Sequence, residues 1–328
     1  MASLPVVAIA GMADGRFAPT PSGQLHLGNL RTALLAWLFA RSEGSRFVVR
    51  MEDLDQSACR EHFRIGQLDD LRAIGLDWDG PVIRQSERLD RYRAAIDGLS
   101  AAGLTYPCFC SRREIREAIR APHGGAGDEP ALEGAYPGTC RHLSSSERAR
   151  RKAGGRRPAL RIEAGAAYVQ VVDRLAGPVG GVVDDFVLSR GDGTPAYNLA
   201  VVVDDDAQGI AEVVRGDDLL SSTPRQVHLA AVLGVEAPSY AHVPLALGVD
   251  GARLAKRHGA VTLADRLAVG ETPHAVLGLL ASSLGLAAPN EAVSPAVLLT
   301  RFDPGRLPRD PWVPGVVDGS APTPGDPS

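Results

Sequence analysis

The stretch GRFAPTPSGQLHLGN, residues 15–29, decides the fold. It begins like the end of a strand, continues as a loop of proline, serine and glycine, and runs into a helical pattern. Free backbone N–H groups and the helix dipole favour anions at such a junction, so the stretch predicts a phosphate-binding turn. His26 is able to donate to phosphate oxygens, and Gly28 leaves room for a flat base or ribose. The same pattern also fits an ordinary turn before a helix.

Short β-rich segments alternate with helical patterns on either side of this stretch. The predicted helices cover residues 27–41, 60–74, 88–102, 223–233 and 273–284. Strands are expected at 47–51 and at the apolar run 197–203. This alternation is typical of α/β folds, and it predicts a Rossmann-like, doubly wound parallel sheet with helices on both faces.

Composition excludes several classes of protein. The 328 residues are 45% apolar and 23% charged with a net charge of -4, which does not fit a globally basic nucleic-acid binder. No apolar run is long enough to span a membrane. Residues 1–11, an expected extension before the first strand, lack the basic start of a signal peptide. We therefore expect a cytoplasmic protein with no membrane partner.

Three cysteines lie close together in the sequence, at Cys108, Cys110 and Cys140. Grouped thiolates favour zinc, which takes four ligands in structural sites. His123 and His142 are candidates for the fourth position, and three unconnected buried cysteines are the alternative. Cys59 is distant in sequence and is expected in the core.

Basic residues gather in two places. The loop RLAKRHGA, residues 253–260, suits the charge that develops when pyrophosphate leaves, although a solvated basic loop has the same composition. Residues 141–161 contain a second cluster, which fits either phosphate binding or a solvated helix and loop.

The stretch at 15–29 and the basic loop at 253–260, taken together and in this order, resemble the HIGH and KMSKS signatures of class I aminoacyl-tRNA synthetases. Four longer strings resemble the glutamate branch of that class: GRFAPTPSG at 15–23, RMEDLD at 50–55, YNLAVVVDD at 197–205 and RGDDLLSSTPRQ at 215–226. The resemblance runs from about Gly15 to Leu267. It extends to the shorter glutamyl-Q tRNA(Asp) synthetase family, which lacks an anticodon-binding domain.

That resemblance implies a ligase that activates L-glutamate with ATP and Mg²⁺. The glutamyl group then passes to queuosine at the wobble position of tRNA(Asp), and the enzyme is expected to be a monomer. By the same resemblance, Arg16 pairs with the substrate side-chain carboxylate, Glu52 binds the α-ammonium, and Tyr197 and Arg215 complete the pocket.

The resemblance also implies the ATP and metal sites. The expected ATP-binding residues are Ser22, His26, Gly28, Asn29, Leu254 and Lys256, with His26 and Lys256 catalytic. The implied structural Zn²⁺ ligands are Cys108, Cys110, Tyr136 and Cys140.

The resemblance predicts a division of the chain into five parts. Residues 1–105 and 191–250 are the two halves of the catalytic domain, 106–190 is a zinc-containing insertion, and 251–301 is the KMSKS-like loop with a helical segment. Residues 302–328, which hold seven prolines and four glycines, are expected to be a disordered tail.

Several positions depart from the wider family. Asn29 replaces the second histidine of HIGH, Arg253 replaces lysine and Ala255 replaces serine, while Lys256 is retained. Asp206 stands where the family usually has histidine. Two alternatives remain open: a truncated glutamyl-tRNA synthetase that charges tRNA(Glu), and a non-catalytic regulatory paralogue, which Asn29, Arg253 and Ala255 support.

Overall fold

A five-stranded parallel sheet forms the centre of the computed structural model, which describes residues 14–120, 135–254 and 261–314. Its strand order is β10-β9-β1-β2-β3, with every neighbouring pair parallel. The strands are β1 (Gly15–Phe17), β2 (Phe47–Met51), β3 (Ile83–Arg84), β9 (Glu212–Gly216) and β10 (Ser239–Val243). The order reverses between β1 and β9, and a doubly wound sheet binds ligands outside the carboxyl ends of its strands at such a point.

Helices cover this sheet. They are α1 (Leu27–Ser42), α2 (Glu61–Ala73), α3 (Leu89–Ala101), α6 (Tyr197–Gln208), α7 (Thr223–Leu233), α8 (Leu263–Ala268), α9 (Pro273–Ser282) and α10 (Pro295–Arg301). The central helix is α1, whose Leu27, Leu30, Leu34 and Leu38 are all fully buried. A helix that is apolar on most of its faces belongs in a core, and α1 packs against β1, β2 and β9.

Two smaller sheets lie between the halves of the central sheet in sequence. Antiparallel strands β4 (Thr105–Cys108), β5 (Ala159–Ile162) and β8 (Val187–Ser189) form one, and the hairpin of β6 (Tyr168–Asp173) and β7 (Gly177–Val182) forms the other. Helices α4 (Arg112–Arg120) and α5 (Ser145–Ala153) flank the cysteines. The parallel α/β alternation therefore stops near residue 105.

The predicted strand at 197–203 is wrong, because these residues begin α6. Leu199, Ala200, Val201 and Val202 are all buried there. A short continuous apolar run does not distinguish a buried strand from a helix that is covered on several sides.

The predicted disorder of 302–328 is wrong for the described part, 302–314. Leu307 is buried, and Trp312 forms a parallel bridge with Ala246. The Trp312 N–H donates to Leu245 O at 2.9 Å, and its carbonyl accepts from the Leu247 N–H at 2.8 Å. The prolines of residues 302–314 therefore do not prevent this segment from packing against the rest of the protein. Residues 315–328, like the extension 1–11, lie outside the described ranges.

Within those ranges, no helix combines the length and the apolar character that crossing a membrane requires.

Candidate functional site

The switch point of the sheet holds the four residues predicted for glutamate. Arg16 lies in β1, Glu52 directly follows β2, Tyr197 begins α6 and Arg215 lies in β9. Burial raises the pKa of the Tyr197 phenol, the charge of Glu52 raises it further, and Arg215 and Arg16 lower it. All four side chains thus interact electrostatically at one place, although they are up to 199 residues apart in sequence.

A buried carboxylate, that of Asp205, positions the Arg16 side chain. Its Nε donates to Asp205 Oδ1 at 3.2 Å, and its Nη1 donates to Val214 O at 3.4 Å. Asp205 also accepts from Arg50 Nη1 at 2.7 Å. Arg50 is fully buried, so a second guanidinium fixes the acid that positions Arg16.

Glu52 is an acid among cations, and its side chain is 11% exposed. Burial raises the pKa of its carboxyl, while Arg50 and Arg16 lower it. The Arg50 Nη2 approaches Glu52 Oε1 at 3.5 Å. The Glu52 carboxylate suits an ammonium group, because the cations beside it, Arg50 and Arg16, already interact with Asp205.

Arg215 is 5% exposed and makes only neutral contacts. It donates to His242 Nε2 at 2.9 Å, Gln226 Oε1 at 2.7 Å and Thr223 Oγ1 at 2.9 Å. Within the described ranges, no carboxylate lies within 4.0 Å of its guanidinium. A buried charge normally has a counter-ion, so this guanidinium is prepared for an anion from outside the chain.

His26 caps the N-terminus of α1. Its Nδ1 accepts from the Asn29 N–H at 3.1 Å, and Asn29 Oδ1 accepts from the His26 N–H at 3.2 Å. Burial and the charge of Arg253 lower the pKa of His26, and Asp218 opposes them. The imidazole is therefore neutral at pH 7. Asn29 acts as a reciprocal cap, a role that its predicted contact with ATP did not include.

Val261 and Thr262, which directly follow the second signature-like string, contact this helix terminus. The Leu27 N–H donates to Val261 O at 2.7 Å, and His26 bridges Thr262. Arg253, which precedes the predicted Lys256, pairs with Asp218 at 2.7 Å. Lys256 itself lies outside the described residues.

Two of the remaining predicted ATP residues, Gly28 and Leu254, lie against Ala246 beside the same terminus. A Cβ on Gly28 would lie 2.8 Å from the Ala246 Cβ and 3.0 Å from the His26 ring, so close packing requires glycine there. Leu254 is buried and donates its N–H to Ala246 O at 3.2 Å. Ser22 is exposed in the turn that follows β1.

The three grouped cysteines converge. The sulfurs of Cys108, Cys110 and Cys140 all lie within 4.8 Å of one another. The Tyr136 hydroxyl oxygen is 3.4 Å from the Cys108 sulfur and 3.7 Å from the Cys110 sulfur. Ligands of a tetrahedral zinc bound by sulfur lie about 3.8 Å apart, so the four atoms fit such an ion.

Charge around this cluster supports the same fit. Arg161 is buried with its guanidinium carbon 3.7 Å from the Tyr136 ring centroid, and Arg151 Nη1 lies 3.9 Å from the Cys140 sulfur. In the part of the chain that the structure describes, no carboxylate lies within 4.0 Å of either guanidinium. Arg161 and Arg151 are therefore placed to stabilise thiolates. Metal binding requires the cysteines in that deprotonated form.

The alternative fourth ligands gain no support. His142 is exposed, and in the described ranges the metal-compatible cluster consists of the three cysteines. His123 lies outside those ranges. Cys59 is half-buried just before α2, and so the expectation of a core cysteine there is wrong.

The basic cluster at 141–161 contains exposed residues as well as residues that contact other parts of the chain. Arg150, Lys152 and Arg157 are exposed around α5. Arg156 instead donates to Phe109 O at 2.6 Å and pairs with Glu114 at 2.8 Å. Arg156 therefore ties the cysteine segment to α4.

The sequence prediction missed several residues that support the site. Arg50, Asp205, Asp173 and His242 are all buried and polar. Two of them carried a usable signal: Arg50 interrupts the apolar strand FVVRM, and His242 interrupts SYAHV. A polar residue within an apolar strand needs a partner, and here the partners come from distant parts of the chain.

Comparison with protein families matches residues 13–286 to the catalytic domain of class I tRNA synthetases (E and Q). A protein from Nocardia farcinica described as glutamyl-Q tRNA(Asp) synthetase is 61% identical over 91% of this chain and 92% of its own length. A protein of the same description from Symbiobacterium thermophilum is 50% identical over 92% and 95%.

More distant relatives share the same fold. Glutamate–tRNA ligase 1 from Alkalilimnicola ehrlichii is 43% identical over 81% of this chain and 55% of its own length. The crystal structure of a glutamate tRNA ligase from Elizabethkingia meningosepticum in complex with its amino acid superposes with a TM-score of 0.77 and 28% identity. That match covers 93% of this chain and 67% of the other. The predicted fold class is confirmed.

Proposed function

Because the chain belongs to the glutamyl-Q tRNA(Asp) synthetase family of class I aminoacyl-tRNA-synthetase-like ligases, we propose that it activates L-glutamate with ATP and transfers it to queuosine of tRNA(Asp). One observation carries the amino-acid assignment. A partly buried acid, Glu52, and two buried guanidiniums, those of Arg16 and Arg215, converge where the sheet order reverses. One anionic and two cationic groups complement a substrate with one ammonium and two carboxylates.

The pocket orients glutamate for attack on ATP. Arg16 and Arg215 bind carboxylate groups and Glu52 binds the α-ammonium, while Tyr197 closes the side toward solvent. An oxygen of the α-carboxylate forms a bond to the α-phosphorus, and the bond from that phosphorus to the β-bridging oxygen breaks. Glutamyl-adenylate and pyrophosphate result.

The N-terminus of α1 holds the phosphates. Neutral His26 lies there with Gly28, and we assign the further phosphate donors to Lys256 and Ser22. Mg²⁺ would neutralise phosphate charge when bound. A hydroxyl of the acceptor then attacks the activated carbonyl, and AMP leaves with the electron pair of the broken bond.

Two further assignments belong to this proposal. Cys108, Cys110, Tyr136 and Cys140 hold a structural zinc ion, and the exposed face of α5 with Arg150, Lys152 and Arg157 contacts tRNA phosphates. The higher identity to relatives described as glutamyl-Q tRNA(Asp) synthetase than to glutamate–tRNA ligase 1 supports the queuosine acceptor over the 3′ end of tRNA(Glu).

Amino-acid-dependent exchange between pyrophosphate and ATP tests the activation step. We expect exchange with glutamate and little with glutamine, because an amide does not replace the carboxylate that a guanidinium binds in a bidentate pair. Arg215→Ala should lower kcat/KM for glutamate by about tenfold to a hundredfold, since a hydrogen bond to a charged group is lost. Arg72→Ala on exposed α2 is the matched control. Equal exchange with glutamine, or an unaffected Arg215→Ala, would overturn the assignment.

A further inference from the structure

A buried chain of three polar side chains runs from the β6–β7 hairpin to the amino-acid pocket. Asp173 Oδ2 lies 2.6 Å from His242 Nδ1, and Arg215 Nε lies 2.9 Å from His242 Nε2. All three residues are at most 5% exposed. The chain crosses between separate sheets, since Asp173 ends β6, His242 lies in β10 and Arg215 lies in the neighbouring strand β9.

Asp173 is fixed as an ionised acceptor. Its Oδ1 accepts the N–H groups of Leu175 and Ala176, both at 2.8 Å, and its Oδ2 accepts the His242 N–H at 3.1 Å. Burial alone would raise the pKa of this carboxyl, but the donors from His242, Ala176 and Leu175 outweigh burial and lower it. Backbone N–H groups therefore fix the position of the Asp173 carboxylate independently of its contact with the His242 ring.

The contacts of His242 define its tautomer. Arg215 Nε always carries a proton, so His242 Nε2 accepts from it and the imidazole proton resides on Nδ1, which donates to Asp173. Burial lowers the pKa of His242, Asp173 opposes this, and Arg215 lowers it further. The Thr223 hydroxyl oxygen, 3.3 Å from Nε2, completes the surroundings. The imidazole is therefore neutral, with its lone pair directed at Arg215.

Three hydrogen bonds, one from each guanidinium nitrogen, set the plane of the Arg215 guanidinium. His242 holds Nε, Gln226 holds Nη1 and Thr223 holds Nη2, so the group is fixed on both edges by neutral acceptors. Of these acceptors, His242 is the one that is itself oriented by a charged residue. Neutral acceptors hold the guanidinium without cancelling its charge, which remains available to the substrate.

We propose that Asp173 and His242 are positioning residues that hold Arg215 in the orientation required to bind the glutamate substrate. The inference rests on the proposed function of Arg215. It gives the β6–β7 hairpin, which lies outside the parallel sheet, a part in amino-acid binding. A purely structural tie between β6 and β10 is the competing explanation, because the Arg174 N–H also donates to Tyr240 O at 2.8 Å.

A pair of substitutions at one position separates the two explanations. In His242→Gln the side-chain oxygen reaches the place of Nε2 and still accepts from Arg215. In His242→Asn the shorter amide reaches only the place of Nδ1 and loses Arg215. We expect His242→Asn to raise the KM for glutamate about tenfold or more, with kcat and the KM for ATP within about threefold, and His242→Gln to restore most of the loss.

Asp173→Asn provides a milder variant that keeps the size of the side chain. Its amide is able to donate to Nδ1 and to move the imidazole proton to Nε2, where it opposes the Arg215 Nε–H. The KM for glutamate should again rise, and the nitrogen-15 chemical shifts of His242 should change from the Nδ1–H to the Nε2–H pattern. His228→Asn, a half-buried histidine of α7 outside the pocket, is the matched control and should leave both constants unchanged.

The outcomes are distinguishable. Wild-type protein without glutamate-dependent exchange contradicts the proposed function itself. Wild-type exchange with an unchanged glutamate KM in folded His242→Asn, or an Nε2–H tautomer in the wild-type protein, contradicts only the positioning role. Lowered thermal stability with an unchanged KM in both His242 variants would leave the structural tie as the explanation and overturn the proposal.

Discussion

At the scale of single residues, the proposed amino-acid pocket depends on charged residues beyond those predicted to bind glutamate. Arg50 is fully buried and interacts with Asp205, Asp204 and Glu52 through contacts of 2.7, 3.8 and 3.5 Å. It neutralises the acids that hold Arg16 and leaves Glu52 partly available. Arg16 and Glu52 therefore belong to one network of charges with Arg50, Asp204 and Asp205.

Replacing Arg50 with methionine should strongly destabilise the protein. The substitution keeps most of the apolar volume but removes one of the two cations that contact each of Asp205 and Asp204, and breaking buried ion pairs in this way costs about 3–5 kcal/mol. Urea unfolding followed by circular dichroism measures the change. The matched control is Arg93→Met, whose exposed pair with Asp90 should contribute less than about 1 kcal/mol. Equal effects of the two substitutions would contradict the network.

At the scale of elements, local patterns predicted helices whose apolar residues recur at helical spacing. The predicted helices at 27–41 and 223–233 match α1 and α7 closely, and a reciprocal cap begins α1 while Gly234 ends α7. The run 197–203 failed because α6 is buried on several faces and its apolar residues show no helical period. Asp173 and His242 were missed because only the folded chain brings them together.

Zinc should be an essential part of the cysteine segment. Purified protein is expected to carry about one zinc ion per chain, and Cys108→Ser should lose it, because three thiolates and a phenolate are needed to complete the tetrahedron. Loss should speed proteolysis within residues 106–141. Metal analysis and limited proteolysis provide the measurement. Cys59→Ser is the control, and a full zinc content in Cys108→Ser would contradict the ligand assignment.

The terminal segment should stabilise the α1 terminus. Truncation after residue 301 removes the buried Leu307, whose apolar surface is worth about 1.5–3 kcal/mol, and the partly buried Trp312, and it frees Ala246, which packs beside Gly28. We expect a loss of several kcal/mol and weaker pyrophosphate exchange. Truncation after residue 314 is the matched control and should resemble the full chain. If both truncations behave alike, the packing role of 302–314 is wrong.

At the scale of the whole molecule, the order of the strands explains why these residues meet. The chain builds β1, β2 and β3 outward, continues through the two smaller sheets, and returns to add β9 and β10 on the other side of β1. Arg16 and Arg215 therefore become neighbours across the reversal. The hairpin formed on the way supplies Asp173, so the segment between the two halves contributes to the pocket as well as carrying the cysteines.

The acceptor is the central claim, and transfer of labelled glutamate tests it most directly. Protein, ATP and radiolabelled glutamate are incubated with tRNA(Asp) that contains or lacks queuosine, and nuclease mapping locates the label. We predict label on the anticodon loop of the queuosine-containing tRNA(Asp) and none on the unmodified tRNA. Label on the 3′-terminal adenosine of tRNA(Glu), or no label on either RNA, would contradict the account.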